Sequence, residues 1–265
     1  MLTAPLQPLR ALRSAWRAMR EQPLPLLGFS AAAWGLHGLG WALVAAGDWI
    51  PSAVLAALLH GVGIGLYAGG LLWLVEGLSR AGLALSAGQQ PAWRELYRWH
   101  GRSSRHLACG LLTLLAALAL TALVGFVAWS LVVFLLPALS PVPALLALLA
   151  CAAVGLSQVF NACLVLERRL SPSQAFRRGF VLLEHHWAGL LQLVALLALM
   201  TSLPTLLLGL LGEALVAGLG VPITVLAVVA ASPLVAITTT SAYRQLLPEL
   251  EGQAPDQAEL NRSDR

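Results

Sequence analysis

In this chain of 265 residues 58% are hydrophobic, only 11% are charged and the mean hydropathy is +0.80, which excludes an ordinary soluble domain and indicates a polytopic membrane protein. All sixteen basic residues are arginine and the formal net charge is +4, so a Walker A phosphate loop, a Schiff base and a lysine general base are excluded together. The cysteines Cys109, Cys151 and Cys163 lie in apolar stretches without a CxxC pair, and are read as small buried packing residues rather than a disulfide framework or zinc site.

The N-terminal segment is amphipathic. Leu9, Leu12, Trp16 and Met19 form one stripe, and Arg10, Arg13, Arg17 and Arg20 form another, shifted by about 100° around a helix. Charges spread in this way do not fit a signal peptide. They fit a helix in the membrane interface, with arginines reaching headgroups and Trp16 among acyl chains.

Six spans follow, each close to or above the ~20 residues that a hydrocarbon core requires. They run over about 24–46, 50–75, 107–136, 144–166, 187–211 and 221–243. The long connector 76–106 carries Arg80, Arg94, Arg98, Arg102 and Arg105. In the second connector, Ser171, Pro172 and Gln174 match a helix start: a cap, a proline in the first turn and a capping-box partner. In the helix that begins there, Phe176, Phe180, Leu183 and Trp187 share a face, with Arg177, Arg178 and His185 off it.

Every arginine falls in the N-terminal segment, the two long connectors or the C-terminal end, whereas the three short turns hold only Asp48 and Glu213. The positive-inside rule then places both termini in the cytoplasm. The composition of 248–265, rich in acidic residues, Gln, Pro and Gly, predicts a disordered tail.

Ala15-Trp16-Arg17, Ala92-Trp93-Arg94 and Ala175-Phe176-Arg177 recur at the head of three two-span units, about 8–80, 87–168 and 169–247. The expected fold is therefore a single all-α membrane domain over 1–247, with six transmembrane helices, three cytoplasmic interfacial helices and a threefold repeat. Units of two spans share one orientation, so their axis would lie along the membrane normal. The alternative is that any interfacial helix selects alanine, an aromatic residue and arginine.

The stretch ERRLSPSQAFRRGFVLLEHHW, an interrupted apolar hairpin and a closing SAYRQL (Ser241 to Leu246) resemble a loose group of bacterial six-span proteins. That group comprises the YciC-like proteins and the membrane domain attached to some glycerophosphodiester phosphodiesterases. The likeness covers about the last hundred residues well and brings no catalytic motif. A phosphodiesterase barrel needs acidic metal ligands, and the only aspartates are Asp48, Asp256 and Asp264.

His37 and His60 each lie about eleven residues into a span, or ~16 Å from the turn at Asp48, which puts both near the bilayer midplane. Two readings stand: a metal, proton or cofactor site, or a structural role in which the imidazoles hydrogen-bond each other or a backbone carbonyl. No third ligand lies at that depth, so no metal or cofactor is expected. Gly61, Gly65 and Gly69 form a doubled GxxxG run with Gly63 and Gly70 beside it, read as a seam against Gly35, Gly38 and Gly40, with a homodimer face as the rival. Pro204 and Pro233 should kink spans five and six and free backbone carbonyls, which either line a substrate path or are taken up by nearby hydroxyls. Gln158, Asn161 and Thr238 to Ser241 are read as interhelical hydrogen-bond donors, with the lining of a polar path as the alternative.

No HExxH, GxSxG or carboxylate cluster is present, and Glu76 and Glu167 read as interface ion pairs. The arginines follow interfacial helices rather than a soluble module, which argues against nucleic acid. The expectation is a non-enzymatic protein of scaffolding, assembly or lipid organisation, with a small-solute permease as the alternative. Its contact belt would be Arg17, Arg94 and Arg177 with Trp16, Trp93 and Phe176, facing anionic lipid or a membrane-protein partner.

Overall fold

The computed structural model describes residues 6–91, 93–98, 103–135 and 141–252, and these are helical without strands. The helices are α1 (Pro8–Glu21), α2 (Pro23–Gly47), α3 (Ala53–Ser86), α4 (Trp93–Tyr97), α5 (Ser103–Leu135), α6 (Val142–Ser157), α7 (Asn161–Arg168), α8 (Pro172–Leu215) and α9 (Gly220–Gly252). Among the described residues six helical stretches are long and apolar enough to cross a membrane. The protein is an all-α polytopic membrane protein.

Within 1–247, where sequence leads to one domain, contacts group the chain into two compact units. The first comprises 1–99 and 195–265, and the second 100–194.

In the first unit α2 and α3 form a hairpin, and α9 packs on it although nearly two hundred residues separate α9 from α2. The core is built at helical spacing from Leu26, Phe29 and Ala33 on α2 and Leu74, Leu78 and Ala81 on α3, joined by Ala15, Leu96 and Ile237. Phe29 meets Trp73 and Tyr97 edge-on, with ring centroids 5.1 and 5.3 Å apart, so the five-residue α4 is held by aromatic contacts rather than by its own length. The N-cap of α1 is clasped by one side chain of α9: Gln7 N–H donates to Gln245 Oε1 (2.9 Å), and Gln245 Nε2 donates to the Gln7 carbonyl (3.2 Å).

The α2–α3 seam forms at the expected Gly40, but on α3 it runs through Gly63 and Gly70 and not through the GxxxG run. A Cβ at Gly40 would lie 2.6 Å from the Gly63 carbonyl, one at Gly63 would lie 2.8 Å from the Gly40 carbonyl, and one at Gly70 would lie 2.7 Å from the His37 amide nitrogen. Gly61, Gly65 and Gly69, with Gly35 and Gly38, have nothing within 4 Å of that position. The reason is angular. Gly40 with Gly47, and Gly63 with Gly70, are seven residues apart and stay on one face, whereas the GxxxG run lies on the far side of α3.

α3 also continues beyond the expected end at 75 through the first eleven residues of the presumed loop. Glu76, Gly77, Leu78 and Ala81 are buried there, so the polar residues ride on a helix that is still packed. Gly88 ends it at φ 73°, with Gln89 N–H bonded to the Ala84 carbonyl and Gly88 N–H to that of Leu85, a Schellman stop.

In the second unit the fourth span is broken, as α6 stops at Ser157 and α7 begins at Asn161. The capping box forms as the sequence requires: Ser171 N–H donates to Gln174 Oε1 (3.1 Å) and Gln174 N–H to Ser171 Oγ (3.4 Å). α8 departs from helical backbone at His186 (φ −129°, ψ 23°), one residue before the expected start of span five. Cys109 and Cys163 are buried, but Cys151 is exposed on α6, because a helix apolar all round offers lipid a cysteine as readily as a leucine. At the C-terminus α9 runs to Gly252, which replaces the first five residues of the disorder expected over 248–265; residues 253–265 lie outside the described residues.

These packings set opposite signs for one substitution. Gly63→Ala and Gly70→Ala should each destabilise the protein by about 1–3 kcal/mol through overpacking against backbone. Gly61→Ala and Gly65→Ala should be neutral or stabilising by up to about 1 kcal/mol, because alanine is the better helix former. Reversible denaturation in mixed micelles measures both, and equal losses at Gly63 and Gly65 would contradict the seam.

Candidate functional site

The hairpin register decides what the two membrane histidines can do. A Cβ at Gly70 would meet His37, and one at Gly47 would meet His60, so the two imidazoles sit about ten residues apart along the seam, or ~15 Å at 1.5 Å per residue. They do not meet. His37 Nδ1 bonds the Tyr67 carbonyl at 2.9 Å and its ring lies 3.8 Å from the Tyr67 ring, with Trp34 edge-on at 5.1 Å. His60 Nε2 bonds Asp48 Oδ1 at 3.0 Å, at the end of the hairpin and not at mid-depth, where Asp48 is mostly exposed. The expected equal depth fails because the first seven residues of α3, from Ala53, precede the level of Gly47, the last residue of α2, so that His60 lies at the hairpin end. Among the described residues no three of His, Cys, Asp and Glu converge on a metal-sized site.

A polar cluster inside the first unit was legible only in part. Pro233 has no N–H, so the carbonyl of Val229, four residues earlier, loses its helical donor. Ser30, fully buried on α2, donates its hydroxyl to that carbonyl at 2.7 Å. Beside it, Trp34 Nε1 donates to Ser232 Oγ (2.9 Å), and Ser232 donates on to the Val228 carbonyl (2.8 Å). α9 runs as one helix through this point. Thr238, Thr239 and Thr240 donate to the carbonyls of Leu234, Val235 and Ile237, so they serve their own helix and not the interhelical role expected. On α8, Thr201 does the same to the Leu197 carbonyl near Pro204 (2.8 Å).

In the second unit the break between α6 and α7 exposes donors that neighbouring helices use. Gln158 Nε2 donates to Ser157 Oγ (2.7 Å) and to the Phe176 carbonyl (3.2 Å), and Asn161 Nδ2 donates to Thr113 Oγ1 (3.2 Å). A Cβ on Gly179 would collide with the Ser157 carbonyl, so α8 crosses the break at glycine-only distance.

The belt residues lie outward. Arg17 and Arg94 are exposed in the first unit and Arg177 in the second; Trp16 is 54% exposed, Phe176 is half-buried with Phe180 at 5.2 Å, and the side chain of Trp93 lies outside the described residues. Ala15 and Ala175 are both fully buried, which accounts for two of the three alanines in the repeated triplet; Ala92 lies outside the described residues.

Sequence reasoning treated Arg80 and Arg244 as charge alone, yet both clamp backbone. Arg80 donates to the Arg98 carbonyl (2.7 Å) and feels the charges of Glu76 and Glu95. Arg244 donates to Ser86 Oγ and the Leu83 carbonyl (3.3 Å each) at the last turn of α3. The available signal was the four-residue spacing of Glu76 and Arg80.

Comparison with protein-family models, curated proteins and solved structures finds no match to this chain.

Ser30→Ala should cost about 1 kcal/mol by orphaning the Val229 carbonyl, and much less in a Pro233→Ala background, where the helix supplies its own N–H. A double-mutant cycle on unfolding free energies reads the coupling. The separate partners of the two histidines predict that His37→Ala and His60→Ala losses add within about 0.5 kcal/mol; strong non-additivity would restore the pair.

Proposed function

We propose that the protein is a non-enzymatic scaffold or lipid-organising component of a bacterial inner membrane, with both termini cytoplasmic. The observation that carries this reading is the fate of the polar groups at Pro233. A transporter leaves the carbonyls of a broken helix facing a substrate path; here Ser30 takes the freed carbonyl and Trp34 takes the adjacent hydroxyl. In the second unit the side-chain amide nitrogens of Gln158 and Asn161 donate to the Phe176 carbonyl and to Thr113 Oγ1. The resemblance to bacterial six-span membrane proteins that bring no catalytic motif agrees with it.

What remains for partners is the outer surface. The exposed Arg17, Arg94 and Arg177 suit anionic headgroups, at about 1 kcal/mol for each basic residue near the surface, or the acidic face of a membrane protein.

The test is solute flux. Proteoliposomes of the purified chain, challenged osmotically with neutral, cationic and anionic small solutes, should re-swell at the rate of protein-free vesicles. Faster re-swelling that is selective for one solute and abolished by Ser30→Ala would instead favour the permease.

A further inference from the structure

Amphipathic α1 offers three different flanks. Ala11 and Ala15 are buried, and these small residues dock the helix. Leu12 and Trp16 occupy the next flank and Arg13, Arg17 and Arg20 the one beyond, since successive residues advance by about 100°. These two flanks do not simply face solvent. They form one wall of a groove of about 680 Å³, closed on the other side by Met200 from the apolar length of α8. That volume lies in the range of about 300–1,000 Å³ typical of small-molecule sites.

The groove changes chemistry from one flank of α1 to the next. Leu12, Trp16 and Met200 make one part apolar, and the guanidinium groups of Arg13, Arg17 and Arg20 make the other cationic, with Glu21 at the rim. Among the described residues none of these four charged groups has a hydrogen-bond or ion-pair partner; even Arg17 and Glu21, one turn apart, do not pair within 4.0 Å. Three arginines and one glutamate leave a formal charge of 3 − 1 = +2. A free phosphate would satisfy the arginines but leave the apolar part wet. A fatty chain alone would leave the arginines unmatched. One ligand with both ends fits the groove.

We infer that this groove between α1 and α8 binds a single anionic glycerophospholipid. Its phosphate lies against Arg13, Arg17 and Arg20, its acyl chain runs past Leu12 and Trp16 to Met200, and Glu21 accepts a hydrogen bond from a headgroup hydroxyl. A hydroxyl-bearing headgroup such as glycerol gains that bond while keeping its net negative charge. An ethanolamine headgroup is matched at Glu21 but carries no net charge to answer the surplus of +2. The inference deepens the lipid-organising reading and rests on it, but it concerns one named site and not a belt.

Native mass spectrometry of the full chain, released from mixed phosphatidylglycerol and phosphatidylethanolamine bilayers, tests it. The wild type should retain one phosphatidylglycerol. Arg13→Gln/Arg17→Gln/Arg20→Gln should lower that retention at least about tenfold, and Met200→Trp, which fills the apolar part without touching charge, should lower it several-fold. The control Arg105→Gln/Arg169→Gln, two exposed arginines outside both the groove and the belt, should retain lipid as the wild type does. A large molar excess of inorganic phosphate should not displace the lipid; displacement would mean that the groove holds only a free anion. Equal retention by wild type and Met200→Trp, or equal loss in the control, would overturn the groove in favour of diffuse attraction. Thermal melts identify a triple variant that fails to fold, in which case Met200→Trp decides. Unchanged retention sinks the groove but not the scaffold reading, whereas solute flux with retention intact sinks the scaffold reading but not the groove.

Discussion

The carbonyl of Val229 has no donor in its own helix, because Pro233 follows at the position that should supply one. In water such a group finds a solvent molecule at little cost. In hydrocarbon the alternative to a protein donor is an unsatisfied dipole, at several kcal/mol. The hydroxyl of Ser30 must therefore come within hydrogen-bond reach of α9, and it does so from a helix nearly two hundred residues away. This single requirement fixes the face and height at which α9 lies on α2. The bond from Trp34 to Ser232, one turn further along α2, then allows no slippage by a turn.

Such proximity depends on side chains being absent elsewhere. Without a hydrophobic drive between apolar helices in lipid, close backbone approach is the main source of packing energy. α2 and α3 approach at Gly40 and Gly63, whose carbonyls would each be struck by the other's Cβ. α1 enters the same unit on Ala11 and Ala15, and Gly82 meets Thr240 of α9 where a side chain would collide. The polar contacts choose the register, and the small residues make that register reachable. Arg244 and Gln245 then use neighbouring positions of α9 to close the end of α3 and the start of α1.

How much of this was legible follows from what each signal measures. Span number and approximate length came from hydropathy, which reports the solvent. The capping box at Ser171 and the turn into span five near Trp187 came from local chemistry, which the backbone must obey whatever surrounds it. Face selection failed, because a transmembrane helix is apolar all round and its lipid side looks like its packed side. GxxxG at Gly61, Gly65 and Gly69 was the more conspicuous pattern, yet the seven-residue pairs Gly40/Gly47 and Gly63/Gly70 carry the seam. The histidines failed for a related reason: depth counted from an assumed helix start carries its error straight into an assumed meeting. The pairing of α9 with the first hairpin leaves no local trace, since Ser30 and Pro233 acquire their meaning only together.

The distribution of satisfied groups also bears on where activity resides. Ser30, Trp34 and Ser232 donate to backbone or to each other, and the side-chain amide nitrogens of Gln158 and Asn161 donate to the Phe176 carbonyl and to Thr113 Oγ1, which makes them parts of the frame. Arg80 and Arg244, although charged, are likewise committed to carbonyls. Arg13, Arg17 and Arg20 differ from all of these. They sit on a helix that is firmly docked through its alanines and its Gln7 clasp, yet their own guanidinium groups have no partner among the described residues. A rigid helix that presents unpaired cations has already lost its backbone entropy before any ligand arrives, which lowers the ordering cost of binding. Mere orientation in a membrane needs positive charge but no such rigidity. The combination of a fixed support with free charge is what the proposed lipid site on the outward flank of α1 rests on.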